Sequence, residues 1–207
     1  MPGLLGKKLG MTSIFTEDGQ NIPVTVIEAG PCEVFAVRSK DKDGYQAIQL
    51  GFGKKKDKKV NKAQLEYNKK NNLESAAILR EFKNFTVEDF KVGDTLTLEG
   101  LFAEGDKVKI SGKSIGKGFQ GVIKRHGFGG VGGQTHGQHN RERAPGSIGQ
   151  SSYPSRVLKG MKMAGRKGNE LNTIKNLRVV RIIPEKNIIM IKGAVPGKVN
   201  SIVEINK

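Results

Sequence analysis

Cysteine, aromatic residues and long apolar runs are all scarce in this 207-residue chain. Its one cysteine, Cys32, excludes an internal disulfide and a multi-thiolate zinc site, so we interpret Cys32 as a small core residue. No stretch approaches the ~18 apolar residues that a membrane span requires, and the start, MPGLLGKKLGM, lacks an apolar run of signal-peptide length. We therefore expect a cytoplasmic or organellar protein.

Acidic residues are scarce in one part of the chain in particular. Overall, 36 Lys and Arg oppose 20 Asp and Glu, which gives a net charge of +16 and favours a polyanionic partner. Between Lys113 and Arg181 the sequence has 14 basic residues against only Glu142 and Glu170, so this third of the chain carries +12. A solvated surface usually mixes both signs, whereas a segment of one sign needs a neutralising partner such as phosphate. We expect nucleic acid rather than a membrane surface as the partner, and neither a small-molecule substrate nor a cofactor.

The same basic region has little material for a hydrophobic core. From residue 124 to residue 170 it contains eleven glycines and only eight sizeable apolar residues. Each glycine raises the entropic cost of ordering the backbone. We expect this region to be disordered alone and to fold on binding its partner. A flexible linker is the alternative, although linkers favour serine over Arg, Lys and His and seldom carry this charge density.

Alternating apolar and polar residues on both sides of the basic region predict a mainly β fold. Residues 12–15 and 22–28 flank the turn Glu17-Asp18-Gly19-Gln20 and predict a hairpin. Residues 33–38 and 45–52 flank Asp41-Lys42-Asp43-Gly44 and predict a second hairpin with Asp-Gly turn chemistry. Further strands are predicted at residues 95–98, 107–111, 177–183, 188–192 and 201–205.

The segments between these strands define the expected domain organisation. After the lysine run at 54–59, residues 63–80 are compatible with one or two short helices. Strands on both sides of an insertion suggest a closed β-barrel, because closure removes the exposed edges of short antiparallel strands. We therefore expect a mainly β protein with short helices (β+α). Its parts are a barrel domain of residues 1–112 and 169–207, with a partly helical insertion at about 60–92, and a basic glycine-rich extension of residues 113–168.

Three short motifs suggest chemistry, and each has a simpler explanation. Gly132-Gly133-Gln134 is the tripeptide with which class I release factors position water, but nothing nearby resembles the rest of such a factor. His136-x-x-His139 could place two imidazoles near a metal, yet stacking on bases or donation to phosphate explains the clustering of these two with His126. Gly193-x-x-x-Gly197-Lys198 has one residue too few between its glycines for a phosphate-binding loop and is interpreted as a turn. We expect no metal site and no enzymatic activity.

The residue types of the basic extension fit RNA binding. Gly116 and Gly118, on either side of Lys117, let backbone N–H groups approach phosphates, while the Lys and Arg side chains neutralise charge. Tyr153, Phe128 and the histidines can stack on unpaired bases.

Five motifs along the chain resemble one protein family. Residues 112–125, GKSIGKGFQGVIKR, resemble the signature of the third protein of the large ribosomal subunit, in its bacterial form. Four more segments resemble that family in the same order, essentially from end to end: residues 3–12, 145–150, 162–165 and 192–197. The family often has Asp or Asn where this chain has Lys109.

The resemblance implies a translation-protein-type β-barrel on the outside of the large subunit, with the central loop reaching toward the peptidyl transferase centre. It also implies a structural constituent that binds large-subunit ribosomal RNA near its 3′ end, helps to nucleate assembly and lies beside neighbouring large-subunit proteins. Gln150 matches the glutamine that some bacterial members carry as N5-methylglutamine, which implies a glutamine methyltransferase as a further partner.

Residue chemistry and resemblance together give a set of RNA-binding candidates. They are Lys7, Lys8, Lys113, Lys117, Lys124, Arg125, His126, His136, His139, Arg141, Arg143, Ser147, Gln150, Tyr153, Arg156, Lys159, Lys162, Arg166 and Lys167. Two other functions stay open at this point: an architectural nucleic-acid-binding protein outside the ribosome, and a hydrolase that acts like a release factor.

Overall fold

The computed structural model describes residues 3–83, 85, 90–133, 136–137 and 140–207. The chain divides into two compact units, Met1–Ser114 with Leu171–Lys207, and Ile115–Glu170. Two residues singled out in the sequence, Gln134 and His139, lie outside the described residues.

Strands make up most of the regular structure. In chain order they are β1 (Gly3–Phe15), β2 (Asn21–Ala29), β3 (Cys32–Arg38), β4 (Ala47–Lys54), β5 (Ala76–Lys83), β6 (Thr95–Leu96), β7 (Lys107–Lys113), β8 (Phe119–Gln120), β9 (Gly165–Arg166), β10 (Leu171–Ile183), β11 (Ile188–Lys192) and β12 (Ile202–Asn206). The α-helices are α1 (Lys40–Asp43), α2 (Lys62–Lys70) and α3 (Val122–His126), and short 3₁₀ turns span Asp57–Lys59 and Pro184–Lys186. None of the helices in the described part of the chain is long and apolar enough to cross a membrane.

Six strands of the larger unit form a closed antiparallel barrel. Their order around the barrel is β1-β12-β7-β10-β11-β2. Leu4 of β1 pairs with Ile205 of β12, and both side chains are fully buried. The predicted first hairpin is confirmed as β1 and β2, where Phe15 faces Asn21 across the turn. The barrel confirms the fold class predicted from the sequence.

Four strands of the same unit lie in a separate antiparallel sheet, in the order β5-β4-β3-β6. The second predicted hairpin is confirmed as β3 and β4, and the helical turn α1 connects them. Gly44 ends α1 with a left-handed φ of 79°, and Asp43 accepts a 2.9 Å hydrogen bond from Arg38. The larger unit thus contains four strands that are not part of the closed barrel.

The helices predicted over residues 63–80 are only partly present. The helix α2 ends at Lys70, and the second half of the predicted segment forms β5. Pairing of β5 with β4 places Phe82 opposite Ile48 and buries both side chains. This long-range burial outweighs the local helix propensity of the Leu- and Ala-containing sequence.

The barrel and the four-stranded sheet share one hydrophobic core. Barrel residues such as Leu5, Ile27 and Ile189 belong to the same buried cluster as Val34, Leu50 and Phe82 of the sheet. Cys32 is in this cluster as well, which confirms its interpretation as a core residue.

Candidate nucleic-acid interface

The smaller unit, Ile115–Glu170, has almost no core of its own. Among its described residues Val122 alone is buried. The segment contains ten Lys and Arg but only Glu142 and Glu170, so at least eight cations cannot be neutralised from within it. A compact segment with this composition needs an external anion to offset its self-repulsion.

Two short strands form a stem within this unit. Strands β8 and β9 pair so that Phe119 faces Arg166 and Gln120 faces Gly165. The ladder continues through two backbone hydrogen bonds, from Lys117 N–H to the Lys167 carbonyl at 2.9 Å and from Lys167 N–H to the Gly118 carbonyl at 3.0 Å. The backbone, rather than a hydrophobic core, therefore holds this part of the unit together.

Side-chain hydrogen bonds connect the helix α3 to the segment that contains β9. Arg125 Nη1 and His126 Nε2 donate to the Met163 carbonyl oxygen at 2.7 and 3.0 Å. The ammonium of Lys167 donates to the carbonyl oxygens of Lys124 and Arg125 at the helix C-terminus. A cation at this end of a helix also interacts favourably with the helix dipole. Arg125, His126 and Lys167 therefore each donate hydrogen bonds within the unit. Only their remaining N–H groups are available to a ligand.

Positive backbone φ angles and short polar contacts shape the rest of the unit. Gly130 has a φ of 82° and lies directly against the Glu142 carbonyl, which also accepts the Val131 N–H at 3.3 Å. Ser147 Oγ donates to the Gly149 carbonyl at 2.9 Å. Ser147 and Gly149 line an open depression of about 340 Å³ together with Gln150 and Arg156.

Most of the predicted RNA-binding residues are exposed. Exposed are Lys113, Lys117, Lys124, His136, Arg141, Arg143, Ser147, Gln150, Tyr153, Arg156, Lys159, Lys162 and Arg166, and partly exposed are Lys7, Arg125, His126 and Lys167. Tyr153 is 87 % exposed, as a residue that stacks on a base must be before binding. His139 lies outside the described residues.

Lys8 is a correction to the predicted set. Its side chain is only 8 % exposed, and its ammonium donates to the carbonyl oxygens of Val195 at 2.8 Å and Gly197 at 3.0 Å. A buried ammonium that is already bound to two carbonyls is not available to a phosphate. We therefore remove Lys8 from the candidate interface.

Phe119 is a residue that the sequence analysis missed. Its ring is 77 % exposed although it stands in a strand, where an aromatic side chain is ordinarily packed. The signal was weak: Phe119 lies between Gly118 and Gly121 in the 112–125 motif, in a region with few apolar residues. Its exposed face can stack on a base in the way proposed for Tyr153.

Potential metal ligands are not grouped in the described residues. No three His, Cys, Asp or Glu side chains there lie close enough to hold a metal ion. His136 is exposed, and its partner in the two-histidine alternative, His139, is outside the described part.

Comparison with known proteins identifies the family. The model of the family described as ribosomal protein L3 matches residues 54–186, which include the whole of Ile115–Glu170. This chain belongs to the ribosomal protein L3 family. Two L3 relatives named large ribosomal subunit protein uL3 match nearly end to end. The protein of Chloroherpeton thalassium is 52% identical over 206 residues, 99% of this chain and 98% of the relative, and that of Salinibacter ruber is 50% identical over 205 residues, again 99% and 98%.

The L3 family match confirms the resemblance that the motifs predict. Because both L3 relatives cover 99% of this chain, the similarity includes the barrel, the four-stranded sheet and the basic unit.

Proposed function

We propose that this L3-family protein is a structural constituent of the large ribosomal subunit, and that Ile115–Glu170 binds large-subunit ribosomal RNA. The observation that carries the proposal is the composition of this unit: ten cations and two carboxylates around a single buried side chain among its described residues. The relatives' name, large ribosomal subunit protein uL3, supports the subunit assigned.

The geometry suggests how the unit would bind. The β8/β9 stem and α3 present exposed cations, including Lys117, Lys124 and Arg166, to the phosphate backbone. Phe119 and Tyr153 offer flat apolar faces to unpaired bases. Ordering the unit costs roughly 1–2 kcal/mol of backbone entropy per residue, which many charge-assisted hydrogen bonds to phosphate must offset.

The family resemblance supports a more specific role. In this role, the basic extension predicted as residues 113–168 penetrates folded RNA near the 3′ end of the large-subunit RNA. It extends toward the peptidyl transferase centre. The protein helps to nucleate subunit assembly, contacts neighbouring large-subunit proteins, and shapes RNA without catalysing a reaction.

Sucrose-gradient sedimentation of a cell lysate, followed by a wash at roughly 0.5 M salt, tests the proposal. A stably incorporated constituent stays in the large-subunit peak, as detected by immunoblot. Release into the top fractions would instead favour an architectural nucleic-acid binder, which would bind duplex DNA with a steep salt dependence.

The release-factor alternative has its own test. Gln134→Ala should abolish peptidyl-tRNA hydrolysis if the Gly132-Gly133-Gln134 tripeptide acts as in release factors. We expect purified wild-type protein to show no such hydrolysis above the Gln134→Ala background.

Gln150 is proposed as a methylation site and a glutamine methyltransferase as a partner. Its side chain is exposed beside the open depression, as modification by an enzyme requires. A mass increase of one methyl group, mapped to the peptide that contains Gln150, would establish the modification. An unmodified peptide from native subunits would remove both proposals.

A further inference from the structure

The outer surface of the barrel also carries basic side chains, on strands outside the smaller unit. Along β7, Val108 and Ile110 point into the core and are buried, so Lys107 and Lys109 point outward and are exposed. Lys113, at the end of β7, is exposed as well. The strand geometry sets outward side chains about 7 Å apart along β7.

The neighbouring strand β10 adds two arginines to this surface. Arg178 is exposed and stands directly opposite Lys107, while the preceding pair, Leu177 and Val108, faces inward. After the irregularity in β10, Arg181 is exposed opposite Met190. We call the surface formed by Lys107, Lys109, Arg178 and Arg181 the strand face.

The pairing of Lys107 with Arg178 is unfavourable in the free protein. Residues directly opposite in antiparallel strands have Cβ atoms about 4.5–5.5 Å apart, and like charges at such positions are destabilising. Among the described residues, no ion pair involves Lys107, Lys109 or Arg178. The barrel thus retains a repulsive pair that an external anion would relieve.

Nearby carboxylates are engaged by other groups. Asp106 binds Lys207 at 2.6 Å and accepts the Ala103 N–H, and Glu104 accepts the Ile182 N–H at 3.1 Å.

A third carboxylate reaches the outer surface from β12. Glu204 stands opposite Ser111 and binds Arg80 Nε at 3.0 Å. Lys207 balances Asp106 and Arg80 balances Glu204, whereas Glu104 keeps its charge because its partner is a neutral N–H. Among the described residues, the four cations of the strand face therefore outnumber the single unpaired carboxylate near them.

We propose that the strand face is a second RNA site, which binds the phosphate backbone of a base-paired segment. The inference rests on the proposed RNA-binding function and extends it to the barrel. A surface of exposed cations suits a phosphate backbone, which needs charge and little shape complementarity. An acidic protein partner fits less well, because stable protein interfaces are centred on apolar or aromatic anchors and Met190 beside Arg181 is already half-buried.

The salt dependence of RNA binding by the full chain tests the strand face. The probe is a fluorescein-labelled 20-base-pair RNA duplex, titrated by anisotropy between roughly 50 and 300 mM KCl. A plot of the logarithm of the association constant against the logarithm of the salt concentration has a negative slope. In the variant Lys107→Gln/Lys109→Gln/Arg178→Gln this slope should be shallower by about 2 to 3. A control, Lys40→Gln/Lys42→Gln/Lys69→Gln, removes the same charge at exposed positions of α1 and α2 and should leave the slope close to that of the wild type.

A third variant separates failure of this inference from failure of the proposed function. Arg141→Gln/Arg143→Gln/Arg156→Gln removes three exposed cations of the smaller unit and should weaken binding. If it does so while the strand-face variant matches the control, the strand face is not an RNA site and the proposed function stands. If the wild-type chain binds the duplex without salt dependence, both fail.

A tethered probe in reconstituted large subunits gives a readout that does not depend on affinity. The only native thiol, Cys32, is buried, so an iron–EDTA maleimide reacts with an introduced cysteine. Lys109→Cys should direct cleavage of the ribosomal RNA, and Lys42→Cys should not. Intact RNA with Lys109→Cys, in subunits that have incorporated the labelled protein, would overturn the inference.

Discussion

The ammonium nitrogen of Lys8 lies 2.8 Å from the carbonyl oxygen of Val195, 187 positions later in the chain. The backbone of Lys8 joins the same region, because its N–H donates to Ser201 and its carbonyl accepts from Asn200. One lysine of the Lys7-Lys8 pair thus fastens the first strand of the barrel to the turn before the last strand.

We predict that Lys8→Met destabilises the barrel without weakening RNA binding. The variant leaves two backbone carbonyls without their charged donor, at an expected cost of about 1–3 kcal/mol in the free energy of unfolding. Urea denaturation of the full chain measures this cost, and Lys7→Met, at a partly exposed position, is the matched control. Reduced RNA affinity with unchanged stability would show that Lys8 contacts RNA after all.

Local patterns predicted best the strands along which burial alternates. Residues 188–192 were predicted as a strand and form β11 with those same bounds, since Ile189 and Ile191 are buried and Lys192 is exposed. The closed barrel was also predicted, from strands on both sides of the basic region.

Long-range pairing could not be predicted from local patterns. Nothing around Lys8 distinguishes it from its exposed counterparts, because its partners follow more than 180 residues later. The β5 strand was mistaken for a helix since its pairing with β4 is not visible in its own sequence. Likewise, the opposition of Lys107 and Arg178 depends on a register between strands that are distant in the chain.

We predict that Gly168→Ala disrupts the stem of the smaller unit more than Gly118→Ala does. Both glycines have left-handed φ angles, 74° and 69°, so alanine is strained at either position. At Gly168 the added Cβ would also overlap the Ile115 carbonyl, whereas at Gly118 it meets open space. Overpacking of this kind lowers the free energy of unfolding by about a further 1–3 kcal/mol.

Amide hydrogen exchange of the full chain checks this prediction. The Lys117 and Lys167 N–H groups, which close the stem, should exchange faster in Gly168→Ala than in Gly118→Ala. Equal exchange in the two variants would mean that the Ile115 carbonyl does not restrict residue 168.

We predict that Cys32 makes the protein less stable at high pH. Burial raises the pKa of the Cys32 thiol from 9.0 to about 11. The folded state favours the neutral thiol, and this preference contributes to the free energy of unfolding. The contribution is fully present below pH 9.0 and is lost as the pH rises through about 11. This contribution is at most about 3 kcal/mol.

Urea denaturation at a series of pH values isolates the effect. Wild type should lose more stability than Cys32→Ala between roughly pH 8 and pH 11, because other titrating groups are common to both proteins. Parallel pH profiles would show that the thiol is not shielded in solution. Slow reaction of the native thiol with a disulfide reagent, accelerated by urea, is the accompanying sign of burial.

We predict that the barrel folds without the smaller unit. Lys113 and Leu171 are register partners at the adjoining ends of β7 and β10, so an Asn-Gly turn can replace residues 114–170 as a two-residue hairpin loop. The buried cluster shared by the barrel and the four-stranded sheet contains no residue of Ile115–Glu170. The shortened chain should therefore unfold cooperatively in urea, with a free energy within about 1 kcal/mol of the wild-type value.

Cells that rely on the shortened chain should accumulate defective large subunits. The barrel and the strand face are retained, but the ten cations of the smaller unit, which we propose to hold folded RNA, are lost. Sucrose gradients of these cells should show fewer mature large subunits than gradients of cells carrying the Lys40→Gln/Lys42→Gln/Lys69→Gln control. Normal sedimentation and growth with a folded, shortened protein would contradict the assembly role, because the barrel alone would then suffice. A shortened chain that fails to fold would instead contradict the structural independence of the larger unit, so circular dichroism of the purified protein must accompany the gradients.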